Sequence, residues 1–229
     1  MARGVGGWAQ VVSTFGTPKR PRSYDGEQLW LGPSGWHCLD LRVPRKFTFL
    51  MICAKSGPVR WWWADRSLPR DVAVVGAPYP ADPRGVHILQ PLYRLAPAAV
   101  FLGDMDPFSI VEYVEIRRLL LAATGRPLLY GGIDDAWLGA SERSLKRGVR
   151  LAQVSIALSK REKALVKRLE RAIDLERLVG RRAYSMLRSG YKVELEGATN
   201  PALYRRGHGR WVFRYLRSVV RRAAKGSGV

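Results

Sequence analysis

Acid is what this sequence is short of. Across 229 residues, 39 Lys and Arg stand against 19 Asp and Glu, a formal net charge of +20. The shortage is regional: residues 141–229 carry 23 basic but only 7 acidic side chains, and residues 205–225 contain no acid at all. Cysteine is nearly as scarce. Cys38 and Cys53 are the two present, which argues against a disulfide scaffold, and no CxxC or His/Cys grouping supports a structural zinc site. The three histidines, His37, His87 and His208, are isolated in sequence and sit in no ligand or triad spacing, so structural or surface roles are expected of them. No apolar run is long enough to span a bilayer. GxSxG, P-loop and HExxH motifs are absent. The segment Met1 to Trp8 lacks the charged-then-apolar layout of a signal peptide, so an intracellular location is expected.

What is present excludes more. A hydrophobic content of 47% with 10% aromatics is too rich for a disordered polycation and suits one core, or a core plus an appendage. Residues 1–140 are nearly balanced, with 16 basic and 12 acidic side chains, so the charge belongs to the C-terminal two-fifths. A charge of this size opposes compaction and attracts polyanions. Nucleic acid fits the regional excess best. An anionic membrane surface and a generally basic surface, with Arg far exceeding Lys, are the alternatives.

Four continuous apolar runs read as strands buried on both faces: Phe47 to Cys53, Val72 to Val75, Ala98 to Leu102 and Pro127 to Tyr130. The last three are followed by glycine. Helical stretches at about 58–66, 85–95 and 108–123 separate them, and strands alternating with helices predict an α/β fold with a mostly parallel sheet flanked by helices. Residues 28–31 and 36–41 read as two short strands around the turn Gly32-Pro33-Ser34-Gly35. After residue 140 the chain turns helical. Ser159-Lys160-Arg161-Glu162 is a capping box, with Leu165, Leu169, Ala172 and Ile173 marking the helical face and Gly180 the stop. A last helix is predicted from about Trp211 to Ala224, with Val212, Leu216, Val219, Val220 and Ala223 on its apolar face and Arg210, Arg214, Arg217 and Arg221 along the opposite stripe. The expected organisation is a loosely defined segment 1–46, an α/β core 47–140, and a basic helical part 141–229 completing the domain.

The chemistry-bearing motif is Phe101-Leu102-Gly103-Asp104-Met105-Asp106-Pro107-Phe108. Chemistry in a parallel sheet lies at the C-terminal ends of strands. Two carboxylates two residues apart there can offer hard oxygen ligands to Mg²⁺, and turn chemistry is the plainer reading of the same residues. Trp61-Trp62-Trp63 could stack bases, but neighbours on a helix diverge by about 100°, so core packing with one exposed ring is expected. Cys53, in an apolar strand, is expected to be an inert buried thiol.

Several segments, in order, resemble the Toprim domain of the topoisomerase VI A subunit and the related meiotic double-strand-break transesterases. They are Val75-Gly76-Ala77-Pro78-Tyr79-Pro80-Ala81-Asp82 with Arg84; Asp104-Met105-Asp106-Pro107-Phe108, similar to that family's DxDP segment; Trp137-Leu138-Gly139; Leu158 to Leu169; and Met186-Leu187 followed by Lys192-Val193-Glu194-Leu195-Glu196. Together they cover about residues 48–197. A more distant resemblance, through the GDxD and Leu-Ser-x-x-Glu elements, is to the Toprim nuclease subunit of Wadjet-type plasmid-defence systems. The departures are specific. Ala54 stands where the family's metal-completing Glu is expected, and Ser109 where it usually has Gly. About 46 residues precede the first core strand, too few for the family's tyrosine-bearing winged-helix domain, and Tyr24 lies there without the expected motif.

The resemblance implies a DNA-binding, Toprim-like component of strand-breakage or topology machinery. Asp104 and Asp106 would hold Mg²⁺ weakly, with Glu112 or a DNA phosphate completing the set. Arg84, Lys192, Arg210, Arg214, Arg217 and Arg221 would contact DNA. It also implies a GHKL-type ATPase, or another subunit supplying the tyrosine, as partner, with oligomer formation open. An active Mg²⁺-dependent nuclease or topoisomerase subunit, and a non-catalytic basic protein of RNA or membrane surfaces, are the alternatives.

Overall fold

The computed structural model describes residues 23–24, 27–31, 37–42, 47–64, 66–77, 83–205 and 208–226. The fold is α/β. The core strands are β4 (Phe49–Cys53), β5 (Val72–Gly76), β6 (Ala99–Leu102) and β7 (Leu129–Tyr130). They form a four-stranded parallel sheet flanked by helices. Every residue of β4, β5 and β6 is buried, the mark of strands covered on both faces. Phe49 lies opposite Val72 and Cys53 opposite Gly76. β1 (Ser23–Tyr24), β2 (Glu27–Leu31) and β3 (His37–Arg42) extend the sheet to seven strands in the order β1-β2-β3-β5-β4-β6-β7. These three join antiparallel, with a register shift in β3 between Asp40 and Arg42. The two short strands expected before residue 42 are therefore β2 and β3; the turn expected between them, and the turn residues Pro78 to Asp82, lie outside the described residues.

The predicted helices are α1 (Ser56–Ala64), α2 (Pro83–Leu95) and α3 (Pro107–Thr124). Beyond them come α4 (Asp135–Ser144), α5 (Lys160–Ala172), α6 (Leu175–Val179), α7 (Arg181–Arg188), α8 (Leu195–Thr199) and α9 (His208–Gly226). A second, two-stranded sheet pairs β8 (Ser155–Ala157) with β9 (Tyr191–Val193) antiparallel. The chain forms two compact units that interleave in sequence. One gathers residues 1–56, 69–101 and 114–129; the other gathers 57–68, 102–113 and 130–229.

In the first unit Arg126 closes the end of α2. Its guanidinium donates to the carbonyls of Tyr93 at 3.0 Å, Arg94 at 3.2 Å and Pro97 at 3.0 Å, and lies 5.6 Å from the centre of the Tyr93 ring. The Tyr93 hydroxyl donates back to the Arg126 carbonyl at 2.9 Å. One side chain thus satisfies carbonyls that a helix C-terminus leaves without partners. Cys53 is buried, and its thiol donates to the Lys55 carbonyl at 2.9 Å.

In the second unit the helices are started by side chains. Asp134 accepts from Trp137 at the start of α4, and Asp174 from Arg177 at the start of α6. Ser159 and Glu162 make the capping box at α5 as the sequence predicts. The buried face of α5, however, is Glu162, Val166 and Leu169, and Ala172 is exposed. Of the predicted apolar face Leu169 is buried, and Leu165 and Ile173 are half-buried, while the polar Glu162 turns inward to meet Lys192. Nor does Gly180 stop α5. Ile173 is already extended, and Gly180, at φ 89°, ends α6 and opens α7. The Asp135 carboxylate accepts there from the amides of Arg182 and Ala183. It fills the space a Cβ at Gly180 would need, 2.4 Å away.

Candidate nucleic-acid interface

The terminal helix α9 is amphipathic by sequence and is used that way. Val212, Phe213, Tyr215, Leu216 and Val219 are buried, while Arg210, Arg214 and Arg221 are exposed and Arg217 is half-buried. At 3.6 residues per turn these four arginines fall within about 60° of arc and span about 16 Å of helix. Arg210, Arg214 and Arg221 make no ion pair with any described residue. Sequence reading found the stripe but placed Val220 and Ala223 on the buried face, where both are half-buried, and passed over Phe213 and Tyr215.

The helix is held hard against its own unit. The Trp62 ring meets Phe213 edge-on at 5.2 Å, and Trp62 is 2% exposed. Of the three tryptophans, then, Trp62 is core and Trp61 half-buried, while the Trp63 side chain lies outside the described residues. Gly209 permits this contact, because a Cβ there would lie 2.2 Å from Ser67 Oγ and 2.6 Å from the Trp62 ring. From Tyr204, ahead of α9, into the helix a ladder of rings runs Tyr204, His208, Trp211, Tyr215, stacked at 4.0, 5.7 and 5.6 Å between centres. Trp137 of α4 meets Trp211 and Tyr215 edge-on. His208 accordingly has a structural role: its Nε2 is 3.0 Å from the Ala198 carbonyl, and burial pushes its pKa down to about 4. In the sequence only the i, i+3 and i+7 spacing of His208, Trp211 and Tyr215 signals this arrangement.

Each carboxylate of the Asp104-Met105-Asp106 loop accepts from a different backbone amide. Met105 forms an antiparallel bridge with Val193 of β9, its amide donating to the Val193 carbonyl at 2.9 Å. Asp104, 3% exposed, accepts through Oδ1 from the amide of Leu195 at 2.7 Å, at the start of α8. Its own amide donates to Ser109 Oγ at 3.1 Å. Asp106, 7% exposed, accepts through Oδ1 from the amide of Ser109 at 2.8 Å, at the start of α3, and Pro107 follows in the first helical position. Asp then Pro is the expected opening of a helix. Ser109, where the resembled family usually has Gly, is here a working part of the turn. Glu112 is one turn further on. Burial, then the charges of Asp106 and Asp104, push its carboxyl up to about 7.

Three carboxylates in one field are the right donor chemistry for a hard cation. As they stand, however, Asp104 and Asp106 are each committed to a backbone amide, and no grouping of three or more His, Cys, Asp or Glu among the described residues is arranged to hold a metal ion. The loop reads as a double helix cap, and no chemical step is derived through Mg²⁺.

Lys192 is also committed. Its ammonium lies 2.9 Å from Glu162 and 2.9 Å from Glu194, with 14% of the side chain exposed. Burial alone would lower its pKa, but hydrogen bonds to the two carboxylates outweigh that and hold it raised. Lys192 therefore serves the packing of α5 on β9, and has little left for a phosphate. Arg84 falls in α2, and its side chain lies outside the described residues. Of the six cations expected to contact DNA, the structure brings together the four of α9.

No helix among the described residues is long and apolar enough to cross a membrane. The chain matches no protein-family model, and no curated protein matches it.

Proposed function

We propose that this protein binds duplex DNA through the arginine stripe of α9, as a Toprim-like component of machinery that breaks or retopologises DNA. One observation carries the reading: a helix anchored by its apolar face to a packed unit presents three exposed, unpaired arginines and a fourth beside them in one stripe. A solvated helix face ordinarily mixes signs, whereas residues 205–225 hold none of the opposite sign. Contacts of this kind position a protein on the phosphate backbone without reading bases. The segments resembling the topoisomerase VI A subunit supply the choice of DNA over RNA, and they imply a partner, a GHKL-type ATPase or a tyrosine-bearing subunit, in a DNA-associated compartment.

The test is duplex affinity against salt. Neutralising Arg210, Arg214, Arg217 and Arg221 together should make the log–log salt slope shallower by about 3–4 if each meets a phosphate. An absence of wild-type binding at low salt would rule the reading out, and an unchanged slope would remove the stripe from it. Liposome sedimentation tests the membrane alternative.

A second reading, Mg²⁺-dependent cleavage, has Glu112 in its favour: its carboxyl is raised first by burial and then by Asp106 and Asp104, and a divalent ion would relieve that repulsion. Plasmid cleavage with Mg²⁺, wild type against Asp106→Asn, separates the roles. Asn keeps the cap, so a fall in cleavage with unchanged stability speaks for metal, and no cleavage with or without a partner sinks this reading.

A further inference from the structure

Helix α5 repeats the charge arrangement of α9, where sequence reading saw only a capped amphipathic helix. Lys160, Arg161, Lys163, Lys167, Arg168 and Arg171 are all exposed. Lys160, Lys163, Lys167 and Arg171, spaced 3, 4 and 4, fall within about 80° and span about 16 Å, the same length as the α9 stripe. Arg161 and Arg168 widen the band on one side. None of the six is ion-paired to a described residue.

Acids that could neutralise this face are taken up elsewhere in the same unit. Glu162 points inward to Lys192 and the Ser159 amide. Glu194 pairs with Lys192, and Glu142 forms two hydrogen bonds to Arg182. Glu170, on α5 itself, faces Tyr184 and Arg188 of α7. Asp174 caps α6. On α5 itself, both acids, Glu162 and Glu170, are thus engaged by other groups, and the six cations make no ion pair with a described residue.

We infer that the exposed face of α5 is a second phosphate-contacting surface, so that the unit holding both helices grips the nucleic-acid backbone at two stripes. The inference rests on the DNA-binding reading above and adds to it a site that reading does not use. Like α9, α5 presents no arrangement for reading bases, and its contribution is expected to be independent of sequence.

The experiment uses the full chain and a duplex of mixed sequence, with affinity measured across a salt series. Three proteins are compared with wild type: Lys160→Gln/Lys163→Gln/Lys167→Gln/Arg171→Gln on α5, the four-arginine variant on α9, and a smaller α5 variant, Lys163→Gln/Lys167→Gln. Gln keeps helix propensity, and far-ultraviolet circular dichroism confirms that each variant is folded. The expected result is a slope shallower by about 3–4 for each four-site variant and by about 2 for the pair. If the α9 variant has a shallower slope and both α5 variants keep the wild-type slope, the α5 surface is overturned and the α9 reading stands. If wild type fails to bind at low salt, both fall. Should the four-site α5 variant prove unfolded, the pair alone decides, since an unchanged slope there overturns the inference.

Discussion

The acids Asp104 and Asp106 ahead of α3 and the arginines of α9 belong to the same unit and treat charge in opposite ways. The loop spends its carboxylates inward: Asp104 and Asp106 are nearly sealed from solvent and each holds an amide at a helix start. The helix spends its apolar residues inward and leaves its guanidinium groups out. A charge that is buried and bonded is part of the fold, and removing it costs stability. A charge that is exposed and unpaired costs the fold little to lose. The same residue type read from sequence therefore has two meanings, and burial decides between them. Lys192 makes the point within one charge class, because it sides with the loop and not with the arginines.

Lys192→Ala should have the largest effect, since it leaves Glu162, which is buried, and Glu194 without their shared cation. A loss of about 3 kcal/mol is expected, measured by chemical denaturation. A loss below 1 kcal/mol would return Lys192 to the pool of surface cations.

Next comes pH. The Glu112 carboxyl is raised in the folded state to about 7, so its stabilising contribution is complete below about pH 4.5 and is lost as pH rises through 7. His208 is lowered to about 4, so its contribution is complete above about pH 6.5 and is lost as pH falls toward 4. Between pH 4.5 and 6.5 these two contributions oppose each other. Glu112→Gln removes one of them. The variant should be more stable than wild type at pH 8, by about 2–3 kcal/mol, and should weaken visibly from pH 6.5 to 4.5. A flat profile in the variant would contradict the His208 assignment.

Smaller effects follow at the cap. Asp106→Ala should cost about 1 kcal/mol and Asp106→Asn a few tenths, read as a shift in denaturation midpoint. Equal losses would show that the charge, not the hydrogen bond, matters at the start of α3. Least of all, Arg214→Gln should leave stability within about 0.5 kcal/mol while making the DNA salt slope shallower by about 1.

Most of the α/β architecture was legible because it is written in short-range pattern. Phe49 to Cys53, Val72 to Val75 and Ala99 to Leu102 are apolar on both faces, and only a doubly covered strand satisfies that. Ser159 and Glu162 announce a helix start three residues apart. The arginine stripe was legible for the same reason, being periodic within one helix. What was not legible is what the chain brings together from afar. Nothing near Asp104 says that its partner is the amide of Leu195. Nothing near Lys192 says that Glu162 has turned inward to meet it. The bare face of α5 escaped notice because its sequence contains acids, and only the structure shows where they are pointed.

The bridge from Met105 to Val193 has a consequence for the order of events during synthesis. Asp104 leaves the ribosome 91 residues ahead of the amide it caps, and Trp62 emerges still earlier relative to Phe213 of α9. At about 5–20 residues per second, several seconds pass between the emergence of Asp104 and that of the Leu195 amide, and longer still between Trp62 and Phe213. The unit that carries the arginines can therefore close only when its last helix arrives, and a nascent chain stalled before α9 would expose the very surface α9 covers.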